Sequence, residues 1–159
     1  MTVKENPNNN VRQYLILNIG EHYFAADVHH IEDVIRCRKT TPVPLSKKNI
    51  TGVLNLRGHI VTEIDVAITL DIKSDNTQKY IIVICVESEF YSLSFDGIGD
   101  VINIEENDIL PVPETVEKKW HHVAKGIYRD PNNLFVLLDL SLFIDMAFKE
   151  ETSKIEEAI

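Results

Sequence analysis

Two histidine pairs, His29-His30 and His121-His122, are the first residues whose type suggests metal chemistry. Adjacent residues point to opposite faces of a strand and stand about 100° apart on a helix, so neither pair is a ready bidentate site. No HExxH or CxxC accompanies them, and they read as surface or loop histidines. Cys37 lies between Arg36 and Arg38, cations that would depress the pKa of an exposed thiol, which makes a thiol-dependent enzyme the rival chemistry. No motif supplies that thiol with a base or an oxyanion hole. The glycines at 52, 58, 97, 99 and 126 form neither GxGxxG nor GxxxxGK[ST], so no phosphate loop is present. Asp65 and Asp139 could be imagined as a carboxylate pair, but they occupy equivalent places in a repeat and read as structural. The expectation is no catalytic residue, no metal and no cofactor.

The elements that must carry these residues are mostly strands. Arg12 to Ile19 alternates, Gly20-Glu21 turns, and His22 to Ala26 completes a hairpin. Val28, Ile31, Val34 and Ile35 recur at helical spacing, which predicts a short helical turn leading into a strand. Ile50 to Leu56 and His59 to Val66 flank Arg57-Gly58, where glycine supplies the positive φ of a tight turn. Tyr80 to Val86 is apolar on both faces and predicts a strand buried from two sides. Phe90 to Phe95, Asp100 to Ile104, Gly126 to Tyr128 and Leu134 to Leu138 complete the strands, the last two joined by the turn signal Asp130-Pro131-Asn132-Asn133. A C-terminal helix follows, with Ser141 as its N-cap and Leu142, Met146 and Ile155 along one face.

The two halves resemble each other. Ile31-Glu32-Asp33-Val34-Ile35, Pro42-Val43-Pro44, Gly52-Val53 and Ile64-Asp65-Val66 recur as Ile98-Gly99-Asp100-Val101-Ile102, Pro111-Val112-Pro113, Gly126-Ile127 and Leu138-Asp139-Leu140. Asp65 follows Gly52 by thirteen positions, as Asp139 follows Gly126, so the two hairpins are equally long. Two small β-barrels follow, each with an aspartate where a strand gives way to a helical turn. A half of this size would bury only a marginal core, so the two should be sealed into one unit.

Composition bounds the function. Sixteen basic against twenty-five acidic residues give a formal charge of −9, which repels phosphate backbones, so nucleic acid is not an expected partner. No apolar run approaches the roughly 20 residues of a membrane span, and the opening residues carry no secretory signal, so a cytoplasmic protein without membrane insertion is expected. Cys37 and Cys85 are too few for a disulfide framework and read as reduced, core or near-core residues.

The stretch Gly52-Val53-Leu54-Asn55-Leu56-Arg57-Gly58-His59-Ile60-Val61, with Asp65 after it, resembles the signature hairpin of CheW-like domains. Asp96-Gly97-Ile98-Gly99-Asp100-Val101 and Pro111 to Glu114 resemble two further elements of that family, so the likeness spans residues 11 to 148. The resemblance implies an all-β fold of two SH3-like five-stranded barrels around a shared core, with short helices and a C-terminal helix. It divides the chain into a disordered tail (1–10), a domain (11–148, with intertwined subdomains near 11–75 and 76–148) and a charged tail (149–159). It implies an adaptor that couples the cytoplasmic tips of methyl-accepting chemotaxis receptors to the regulatory domain of a CheA-like histidine kinase. The contact residues it implies are Ile31, Asp33, Gly52, Asn55, Arg57, Gly58, Ile98, Val101 and Gly126. Thr62, Glu63 and Ala67 depart from the family pattern, as does Asp33 in place of glutamate, which keeps open a scaffold in a non-chemotactic pathway.

Overall fold

The computed structural model describes residues 11–36, 42, 47–74 and 79–148. Ten strands form two five-stranded sheets. The first half supplies β1 (Val11–Ile19), β2 (His22–Asp27), β3 (Ile31–Arg36), β4 (Ile50–Leu56) and β5 (His59–Asp65). The second supplies β6 (Tyr80–Val86), β7 (Glu89–Phe95), β8 (Gly97–Glu105), β9 (Ala124–Arg129) and β10 (Leu134–Leu138). Short helices α1 (Val66–Thr69) and α2 (Lys118–His121) and a longer helix, α3 (residues 140–148), are the α-helices among the described residues. The tails expected at 1–10 and 149–159, Cys37, Ile155 and most of the Pro42 to Pro44 element lie outside the described residues.

The strand order in the first barrel is β8-β1-β2-β10-β9, and in the second β3-β6-β7-β5-β4. The sheets therefore cut across the halves expected at 11–75 and 76–148. Each half lends its leading hairpin, β1–β2 or β6–β7, to the last three strands of the other, so the sequence repeat is real but is not the unit of the barrel. Equivalent pairings recur: β2 runs parallel to β10, and β7 parallel to β5.

Alternation along these strands builds three apolar clusters. Tyr14, Ile16, Ala25 and Leu137 gather on one face of the first sheet, and Leu54, Val61, Ile81 and Val83 on one face of the second. Their neighbours Leu15, Leu17, Phe24, Ile82, Ile84, Leu93 and Phe95 point the other way, into a core shared by both barrels. The two-sided burial expected of Tyr80 to Val86 follows: Ile81 and Val83 serve one cluster, Ile82 and Ile84 another.

The repeat aspartates do what the sequence suggests. Asp65 Oδ1 accepts from Ile68 N at 3.0 Å and starts α1, and Asp139 Oδ1 accepts from Leu142 N at 3.0 Å and starts α3. Ser141 is not the cap: with the helix entered at Asp139, the phase places Leu140, Phe143, Ile144 and Ala147 inward and leaves Leu142 exposed. Asn49 closes the far end, donating to Ala147 O at 3.1 Å from a buried position. Near the start of each bulged hairpin, Thr51 and Lys125 are the extra residues.

The turn between β6 and β7 holds Glu87 and Ser88 at φ 51° and 66°, a region that L side chains enter at a cost. Ser88→Gly is expected to raise the unfolding free energy by roughly half a kcal/mol, the relief of strain exceeding glycine's extra entropy, as read by urea denaturation.

Candidate functional site

The two edges of the second sheet, β3 and β4, meet at a seam. β4 and β5 are joined by Arg57-Gly58, whose φ values of 52° and 83° match the positive pair that a two-residue hairpin of type I′ demands. Asn55 Oδ1 accepts from Gly58 N at 3.2 Å and steadies that turn. The geometry sends the Arg57 guanidinium to Asp33 on β3, 3.2 Å away, while leaving 76% of its side chain exposed. Asp33 is further fixed by accepting from Val34 N at 2.8 Å. Beside the pair lies a recess of about 180 Å³ walled by Leu56, His59, Val61 and Phe90. The His59 and Phe90 rings lie 4.3 Å apart. Ile60 projects from the same hairpin at 73% exposure.

Four of the sequence-predicted residues, Asp33, Asn55, Arg57 and Gly58, thus come together on one seam. Ile31 is the first residue of β3 and Ile98 the second of β8, and both pack partly buried against the shared core. Val101, whose type favoured the interior, is 51% exposed on the edge strand β8. Its repeat partner Val34 is 43% exposed on the edge strand β3 and was missed, although the repeat alignment was signal enough to find it. Gly52 and Gly126 are buried within their bulged strands. At Gly126 a Cβ would lie 2.5 Å from Ile109 Cγ2 and 2.8 Å from Leu110 O. That glycine permits the Leu110–Ile127 bridge beside the edge strand β9, so its role is backbone approach.

The histidine pairs do not converge on a metal. His29 and His30 sit in the 3-10 turn 28–30, and His121 Nε2 lies 3.0 Å from Val116 O. Among the described residues no three His, Cys, Asp or Glu side chains could hold an ion together. Cys85 is half-buried and free.

Two carboxylates are electrostatically distinctive. Burial opposes ionisation of Asp96, but the Lys79 ammonium, the Ser74 hydroxyl and the Gly20 N–H overcome it and hold the pKa below the usual carboxylate value. At Asp27 burial is likewise outweighed, by the His29 N–H and by Arg12 and Lys125. Both folded-state values lie below the unfolded ones, so the stability they contribute is complete above the ordinary carboxylate range and is lost as pH falls below about 4 through the depressed folded-state values. Calorimetry between neutral pH and pH ~3 should show the melting temperature falling in that window, with a shallower fall in Asp96→Asn.

What the seam offers is contact: an arginine fork, a carboxylate, an apolar recess and exposed aliphatic tips on rigid strands. A family model described as the CheW-like domain matches residues 13–148. The chain is 33% identical over 136 residues to the chemotaxis protein CheW of Thermotoga maritima, covering 84% of this chain and 87% of that protein. It is 27% identical over 135 residues to the chemotaxis protein CheW of Bacillus subtilis, covering 82% and 85%. The crystal structure of scaffolding protein TtCheW from Thermoanaerobacter tengcongensis is similar with a TM-score of 0.73, over 80% of this chain and 88% of that one, at 23% identity.

Proposed function

The chain belongs to the CheW-like domain family, and from that premise we propose that it is a chemotaxis adaptor that couples the cytoplasmic tip of a methyl-accepting receptor to a CheA-like histidine kinase. It acts as a scaffold, in the cytoplasm, with no chemistry of its own. The family match over residues 13–148 carries this reading. The seam supports it, because Asp33, Asn55, Arg57 and Gly58 form a connected, partly exposed surface on a rigid barrel, with Ile60 as an apolar tip on the same hairpin. No helix among the described residues is long and apolar enough to cross a membrane, so the chain would reach the receptor through its cytoplasmic part.

The test is retention of two purified partners, the cognate kinase's regulatory domain and a receptor-tip fragment, on the immobilised chain. Both should be held. Loss of both, with a known adaptor retaining them in parallel, would refute the reading.

A further inference from the structure

The described chain passes between the barrels at two places only: from β2 to β3 through residues 28–30, and from β7 to β8 at Asp96. Each crossing carries an aspartate, Asp27 buried and Asp96 half-buried with its side chain turned inward. Asp27 accepts from His29 N at 2.9 Å and from Arg12 Nη1 at 3.1 Å, binding the first crossing to β1. The second is more heavily tied. Asp96, its side chain 8% exposed, accepts from Gly20 N at 2.7 Å, Ser74 Oγ at 2.7 Å and Lys79 Nζ at 2.6 Å. Its own N–H donates to Asn18 O at 2.9 Å. Gly97 leaves room for the Asn18 side chain, whose Oδ1 would stand 2.3 Å from a Cβ there. Lys79 also donates to Ser74 Oγ at 2.9 Å, so the cluster is closed on itself.

These contacts reach both barrels. Asn18 and Gly20 belong to the β1–β2 hairpin of the first; Lys79 leads into β6 of the second, and Ser74 lies on the chain between α1 and β6. The apolar core between the barrels is non-directional, and it favours their contact more than any one angle. Short, charge-assisted hydrogen bonds, here partly shielded from water, are directional and do select an angle. We propose that Asp96, with Ser74 and Lys79, is a positioning cluster that fixes the angle between the two barrels and thereby couples the partner-binding surfaces they carry. The first half of that statement stands without the adaptor reading; the second rests on it.

Spin labels test the first half. With Cys37 and Cys85 replaced by serine, Glu89→Cys on β7 and Asn132→Cys in the β9–β10 turn place one label on each barrel at exposed positions. Pulsed electron resonance should give one narrow distance distribution in this background. In Asp96→Asn and in Lys79→Met it should shift or at least double in width. Should Asp96→Asn fail to fold by circular dichroism, Lys79→Met and Ser74→Ala, each removing one side chain from the cluster, carry the measurement. Distributions matching the parent in the folded variants overturn the proposal. For the second half, each variant should bind the kinase domain and the receptor fragment singly within twofold of the parent. The factor by which one partner changes the affinity of the other should fall at least threefold. Unchanged coupling overturns that half. A parent chain that binds neither partner sinks the adaptor reading and leaves the label result intact.

Discussion

Replacing Trp120 with alanine is expected to lower the unfolding free energy by about 3–5 kcal/mol, a large share of the roughly 5–15 kcal/mol available to a domain. Trp120 is buried in the shared core, tilted against Phe24 at 5.5 Å between ring centroids and edge-on to His22 at 5.0 Å. Its indole N–H donates to Leu70 O at 3.0 Å, so it bolts α2 to the end of α1 and joins the halves away from the strands. Truncation would open a cavity and orphan a buried carbonyl together. Trp120→Phe keeps most of the volume and loses the donor, so its cost should be nearer 1–2 kcal/mol. Equal losses in the two variants, by chemical denaturation, would show that the hydrogen bond and not the packing dominates.

Arg57→Glu is expected to weaken partner binding at least tenfold, about 1.4 kcal/mol, while changing stability by no more than about 1 kcal/mol. The asymmetry follows from exposure: a solvated ion pair adds little to folding, whereas an arginine desolvated by a partner can dominate an interface. The charge-swapped chain, Asp33→Arg with Arg57→Asp, separates the roles. It should restore the ion pair and any lost stability without restoring affinity, as titration calorimetry would register. Full recovery of binding would mean that Arg57 only closes the barrel seam and never touches the partner.

Much of this architecture was legible in the residues. The β-rich run Ile50 to Leu56 and the two-sided pattern of Tyr80 to Val86 gave strands with the observed limits. The spacing of Gly52 from Asp65 and Gly126 from Asp139 foretold two equally long hairpins, each ending where an aspartate starts a helical turn; the bulges near their starts were not legible. The spacing of Val28 to Ile35 predicts a short helical turn leading into a strand, and the 3-10 turn and β3 stand there. Ser141 and Asp139 are both good caps by type, and the repeat already puts Asp139 where a strand gives way to a helical turn; its own N–H, tied to Val123 O at 2.8 Å, holds it at that entry and sets the helix phase. Strand β8 was expected short because Gly97 and Gly99 look like breakers, yet pairing with β1 carries it across both. For the site, motif matching found Arg57 and Asp33 but not that they face each other, since strand partnership between β3 and the β4–β5 turn is set by barrel closure. Which half lends its hairpin to which sheet was also invisible, because both arrangements satisfy the same alternation.

The lending of hairpins has a genealogical consequence. A gene half as long, encoding one hairpin and three further strands, could complete such a sheet with its own hairpin or by trading hairpins with a second copy of itself, and the second arrangement is the one this chain keeps. Fusing two such genes end to end would tether the trading pair into one polypeptide and free each copy to drift, which is the state of Glu63 and Ser92 here, paired where the sister barrel keeps Leu137 and Ala25.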